Sequence, residues 1–112
     1  HITRVPNVPA YIKGVINLRG EVIPVFSLRI KMGLEEIEEN KAFRIIILKV
    51  DSDMVGIIVD EVREVVMIDN DSIEKLYHDP SDPSQNLLSG IGKDGERLIS
   101  LLDINEVLTE KN

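Results

Sequence analysis

The sequence predicts an all-β protein built as two small barrels with short helices, and three observations carry that expectation. Most apolar residues fall in short extended runs rich in Val and Ile. One strand–turn–strand–helix pattern occurs twice: Gly14-Val15 and Val22 to Leu28 are echoed by Gly90-Ile91 and Leu98 to Ile104, with equal spacing from the Gly to the second run. Only two segments read as helices, and both are short. Two copies of one β unit suggest two subdomains related by a pseudo-two-fold. They would share a single domain over residues 1–112, with a first repeat near 1–40 and a second repeat region over 41–112.

Each element follows from local chemistry. Val15–Leu18 and Glu21–Phe26 flank Arg19-Gly20, a tight strand connection. Pro24 cannot donate to a ladder, so its strand is an edge or bulges there. Ser27 to Met32 reads as a short helix stopped by Gly33. The acidic stretch Glu35 to Asn40 reads as a loop. Phe43–Val50 is apolar enough for a central strand, and Asp51-Ser52-Asp53 turns it into Met54–Val59. Glu61–Ile68 is Val-rich and reads as a further strand, with Asp69 and Asp71 as turn residues. Asp79 to Asn86, with Pro80 and Pro83, reads as a loop. Leu87–Gly92 and Arg97–Leu102 form a hairpin around Lys93-Asp94-Gly95-Glu96. Asp103 caps a last helix through Leu108, with Glu106 at capping-box offset. The second copy is preceded by its own strand pair, whereas only His1 to Tyr11 precede the first. The first barrel is therefore expected to be incomplete at its N-terminus by about two strands.

Composition narrows the function classes. The chain has 112 residues, 43% of them hydrophobic and 29% charged, which is ordinary for a soluble globular domain. Its net charge of −7 argues against nucleic acid and anionic membrane surfaces, both of which demand clustered positive charge. Aromatic residues reach only 4%, with no Trp, so base-stacking platforms are missing. With no Cys there is no disulfide framework, thiolate zinc site or thiol nucleophile. No apolar run approaches the ~20 residues of a membrane span, no signal peptide is visible, and the chain opens on His1.

Few residues qualify for catalysis. His1 and His78 are isolated, and a solvated loop histidine is the better reading for His78. Glu35, Glu36, Glu38 and Glu39 lack the Asp, Asn and Gly offsets of a hard-cation loop and read as a solvated acidic stretch. No acid–base pair and no glycine-rich phosphate loop is recognisable, so no cofactor or metal is expected. A binding site is the better prospect. Gly20 supplies turn freedom and Asn17 a local hydrogen bond, but Arg19, fixed on a rigid turn, suits a bidentate contact with a carboxylate.

Ile2 to Pro9, followed by Ile12-Lys13-Gly14-Val15-Ile16-Asn17-Leu18-Arg19-Gly20 and Val22-Ile23-Pro24-Val25, resembles the signature of CheW-like domains. Gly56 to Val65 resembles that family's second motif, and Leu88-Ser89-Gly90-Ile91 with Leu101-Leu102-Asp103 its third. The likeness covers nearly the whole chain. It departs from the pattern at Ser27, where the family usually carries an acidic residue, and in lacking the N-terminal strands.

The resemblance implies two five-stranded barrels and a non-catalytic adaptor role in bacterial chemotaxis. Its partners would be the regulatory domain of the histidine kinase CheA and the cytoplasmic tip of chemoreceptors, with no nucleic acid and no direct membrane contact. It also implies a helix-binding apolar groove, for which Val15, Ile16, Val62 and Val65 are candidates beside Asn17, Arg19 and Gly20. An incomplete barrel would leave a strand edge open to self-association. The same domain occurs inside CheA and in CheW–receiver fusions, which are the alternative parents. A small β-barrel enzyme or ligand carrier is the remaining class and would need a pocket with convergent polar groups.

Overall fold

The structure is a computed structural model that describes residues 2–38, 40–76 and 87–108. The chain folds as two compact units, residues 1–63 and 64–112. His78 and the expected loop at 79–86 lie outside the described residues.

In the first unit β1 (Ile12–Leu18) and β2 (Glu21–Ser27) form an antiparallel hairpin, followed by the short helix α1 (Leu28–Lys31). β3 (Arg44–Val50) and β4 (Asp53–Val59) form a second hairpin, and β4 adds to β2 in parallel. The sheet order is β1-β2-β4-β3. Thr3 extends it as an isolated bridge to Val15, made by two backbone hydrogen bonds of 2.8 Å. Ile23 and Val25 are fully buried on one face, each worth about 1.5–3 kcal/mol of apolar transfer. On the other face Tyr11 packs edge-on to Phe26 at 5.6 Å, and the Lys31 ammonium sits 3.9 Å from the Tyr11 ring centre.

The second unit holds a 3₁₀ turn (Asn70–Ser72), β5 (Ile73–Lys75), β6 (Leu88–Asp94), β7 (Arg97–Leu102) and α2 (Ile104–Leu108). Its sheet order is β5-β6-β7, all antiparallel. Leu87 and Val107 are its buried apolar anchors.

The repeat is geometric as well as textual. The β1–β2 register shifts between Ile12 and Gly14, and the β6–β7 register between Leu88 and Gly90. Ser27 N–H donates to Tyr11 O at 2.7 Å, and the equivalent Asp103 N–H to Leu87 O at 2.7 Å. Ser27 Oγ then accepts from Ile30 N–H, and Asp103 Oδ1 from Glu106 N–H, both at 3.3 Å. Ser27 thus caps α1 as an acidic residue would, as its hydroxyl acceptor leads one to expect.

Two expectations are corrected. Glu61–Ile68 is not a strand: it has no ladder partner, and its Val residues do not keep a period of two, so no face is buried. Phe43–Val50 forms an edge strand rather than a central one. The expected all-β fold of two barrel-like subdomains holds: the described residues form one sheet of four strands plus a bridge and one of three strands, neither closed. Pro24 is reconciled locally, because it pairs with Val15 while the ladder to β4 starts only at Val25. Its missing donor costs no second ladder there.

Candidate partner-binding site

The β1–β2 hairpin gathers five of the seven candidate residues. Leu18 pairs with Glu21, so Arg19 and Gly20 alone make the turn, with φ of 53° and 85°. Positive φ at both central positions matches the right-handed twist of the flanking strands, as in a type I′ turn. Asn17 Oδ1 accepts from Gly20 N–H at 3.1 Å and pins the tip. Arg19 stands exposed on this tip, with no hydrogen bond or ion pair to any described residue. An L-residue in the left-handed region costs about 1 kcal/mol, a cost Gly would avoid.

Register separates the rest. Ile16 pairs with Ile23 and Gly14 with Val25, which places Ile16 on the core face. Val15 pairs with Pro24 and Asn17 with Val22, so Val15 and Asn17 share the opposite face with Val22. Val22 is 68% exposed, and sequence reasoning missed it. The alternation Val22-Ile23-Pro24-Val25 held the signal, because a buried Ile23 and Val25 force Val22 outward.

Val62 and Val65 lie in the irregular segment after β4, on either side of the boundary between the units. Both are exposed, Val65 at 95%, and so is Met67 at 93%. Such apolar side chains add nothing to the core.

The first unit also carries a cleft of about 770 Å³, lined by Ile37, Phe43, Ile45 and Ile58 and by two ion pairs. One joins Lys13 to Glu36; the other joins Arg29 to Asp60 at 2.8 Å. Arg29 Nε also donates to Glu35 O at 2.9 Å, tying the acidic loop to the end of β4. The hydrogen bond from Lys13 and then its charge hold the Glu36 carboxyl below its ordinary pKa. In the second unit Arg97 bridges Asp94 and Glu64, 3.0 Å from the latter, and these bonds raise its pKa. Among the described residues no three His, Cys, Asp or Glu side chains come together to hold a metal ion.

The family model described as the CheW-like domain matches residues 1–112. The chain is 39% identical over 106 residues to the chemotaxis protein CheW of Helicobacter pylori, covering 95% of this chain and 64% of that one. It is 33% identical to CheW of Klebsiella aerogenes, covering 98% of this chain and 66% of the relative. To CheW of Bacillus subtilis it is 39% identical, covering 98% of this chain and 70% of the relative. The chain thus spans about two thirds of the length of these relatives. The solved scaffolding protein TtCheW from Thermoanaerobacter tengcongensis superposes with a TM-score of 0.83 at 36% identity, covering 92% of this chain and 70% of that one.

Proposed function

The chain belongs to the CheW-like domain family, and from that premise we propose that it is a non-catalytic adaptor coupling chemoreceptors to the CheA histidine kinase. Its relatives named for chemotaxis and a neighbour named as a scaffold support the reading. The observation that carries it is Arg19, held exposed at a pinned tip, without a partner among the described residues, despite its backbone cost. Its planar guanidinium offers two parallel donors to a carboxylate, in a geometry fixed before the partner arrives. Around it we place Val15, Asn17, Gly20 and the missed Val22 as one contact face, with Ile16 supporting from the core side. Val62 in the first unit and Val65 in the second are each an exposed apolar side chain of the kind an amphipathic helix such as a receptor tip would cover. Among the described residues no helix is long and apolar enough to cross a membrane. The adaptor would work in the cytoplasm, where its kinase partner acts.

Light scattering of the chain alone, then with a CheA regulatory domain, tests the proposal. A co-eluting complex supports it. Arg19→Ala should weaken binding to the kinase domain or to a receptor tip by about tenfold with an unchanged melt. Undiminished affinity for both partners would refute the role of Arg19. Because Val62 is exposed, Val62→Asp should likewise spare the melt and act on receptor binding alone.

A further inference from the structure

We propose that Met67 is an oxidation site, and that conversion of its thioether to the sulfoxide switches off the apolar strip that Val65 and Met67 present on the second unit. The switch rests on the coupling reading only for the identity of the helix that covers this strip. Composition narrows the chemistry first. The chain has no Cys and no Trp, so its three methionine thioethers are its most readily oxidised side chains. Their surroundings then separate them. Met32 closes α1 and Met54 pairs with Lys49 in the β3–β4 ladder, and both are half-buried. Met67 is 93% exposed, so an oxidant reaches its sulfur from solvent without any local opening.

The segment that carries Met67 is fixed at both ends. At one end Arg97 donates to the Glu64 carboxylate at 3.0 Å. At the other, Ile68 packs over Gly92, where an added Cβ would lie 2.9 Å from its Cδ1. Val66 and Ile68 are half-buried, while Val65 and Met67 stand outward. A strip exposed between two anchors is positioned before a partner arrives, and a change in its polarity leaves the core undisturbed. Oxidation by hydrogen peroxide needs nothing further from the protein. A sulfur lone pair attacks one peroxide oxygen, and the S–O bond forms as the O–O bond breaks. The proton of the attacked oxygen leaves with the departing hydroxide as water. The thioether gives up two electrons and the peroxide takes them. The product carries a strong hydrogen-bond acceptor where the side chain had a weak one. The apolar face of a partner helix offers it no donor, so covering the sulfoxide strands a polar group and weakens binding. A methionine sulfoxide reductase reverses the step, which makes the site a switch.

The experiment treats the 112-residue chain with graded hydrogen peroxide and follows each methionine by peptide mass. Retention on a hydrophobic-interaction column, affinity for an amphipathic receptor-tip helix and the melt are read on the same samples. We expect Met67 to gain oxygen first, severalfold faster than Met32 or Met54. The singly oxidised chain should elute earlier, melt as before and bind the helix about tenfold more weakly, and the reductase should restore retention and affinity. Met67→Leu, whatever its own retention and affinity, should lose the response to peroxide, and the double variant Met32→Leu/Met54→Leu should keep it. Oxidation that reaches Met32 or Met54 as fast as Met67 overturns the inference. So does a Met67 sulfoxide that leaves retention or helix affinity unchanged. A chain that binds no receptor helix before oxidation tells against the coupling reading instead, and the order of oxidation with column retention then decides the switch.

Discussion

The two hairpins, Ile12–Ser27 in the first unit and Leu88–Leu102 in the second, share a scaffold and part company at their tips. Both carry a register shift ahead of a close-packed Gly, a backbone bond closing the hairpin base, and a capped short helix. Both expose an apolar residue at the same repeat position, Val22 at 68% and Leu98 at 67%. At the tips, however, the second hairpin turns on Gly95-Glu96 with φ of 64° at Gly95, where Gly is the residue of least strain. Its flanking Arg97 is closed off by Asp94 and Glu64. The first hairpin puts Arg19 where its counterpart has Gly and leaves the guanidinium open. A fold built twice under the same constraints acts as an internal control. What both copies keep serves the scaffold, and what one copy does against conformational preference points to binding.

The comparison is broken most severely in the core and at the close-packed glycines. Ile23 is fully buried and its counterpart Ile99 only half so, so Ile23→Ala should cost about 3–4 kcal/mol and Ile99→Ala about half that in urea unfolding. A Cβ on Gly14 would lie 2.2 Å from Thr3 O, at a φ of 146° that side chains rarely adopt. On Gly90 it would lie 2.7 Å from Glu74 O. Gly14→Ala should therefore cost about 3 kcal/mol and Gly90→Ala about 1–2 kcal/mol. Equal costs, or the reverse order, would mean that the first unit yields at its Thr3 bridge more readily than its hydrogen bonds suggest.

These contrasts also show where the sequence is readable. The repeat, both hairpin turns and both helix caps depend on neighbouring residues and on a period of two, so Arg19-Gly20, Ser27 and Asp103 could be read directly. The position of Phe43–Val50 could not. Four apolar residues in a row suit a strand covered on both faces, and only the parallel addition of β4 to β2 decides that β3 lies outside. Glu61–Ile68 misleads for the opposite reason, since Val-rich composition favours strands but pairing requires a partner edge. β5 was missed because a three-residue strand carries too short a pattern to register. Of the contact face, Arg19 was legible as a charge on a turn. Val22 was hidden among similar residues until register assigned the faces.

A smaller effect sharpens the contrast at the tips. Gly95→Ala puts a Cβ on a left-handed residue and should cost about 1 kcal/mol. Arg19→Gly relieves the same strain and should leave stability unchanged or raise it by up to about 1 kcal/mol, offset in part by the freer unfolded chain. If the comparison is sound, that variant is at least as stable as the parent and yet loses partner affinity. A clear drop in its melting temperature would instead make Arg19 a structural residue and remove the argument from its strain.

The smallest effect is electrostatic and distinguishes the units by pH. In the first unit Lys13 holds the folded-state pKa of Glu36 below its ordinary 4.5. A depressed carboxylate pKa stabilises the folded state above the unfolded value, and that contribution fades as pH falls through the folded one. The parent and Glu36→Gln should thus melt apart at about pH 6–7 and converge as pH falls through the folded-state value. Because Glu36 is solvated, the gap should be small and should shrink in molar salt. In the second unit the raised group is Arg97, whose contribution is present at every pH below its ordinary value and is lost only as pH rises through the raised one. Arg97→Gln should therefore shift the melt by the same amount at pH 5 as at pH 9. An acid-sensitive gap for Glu36→Gln beside a flat one for Arg97→Gln would trace acid sensitivity to the Lys13–Glu36 contact beside the cleft of the first unit. A gap for Glu36→Gln that does not narrow at all on acidification would show that the Lys13 contact acts through packing of its stem and not through charge.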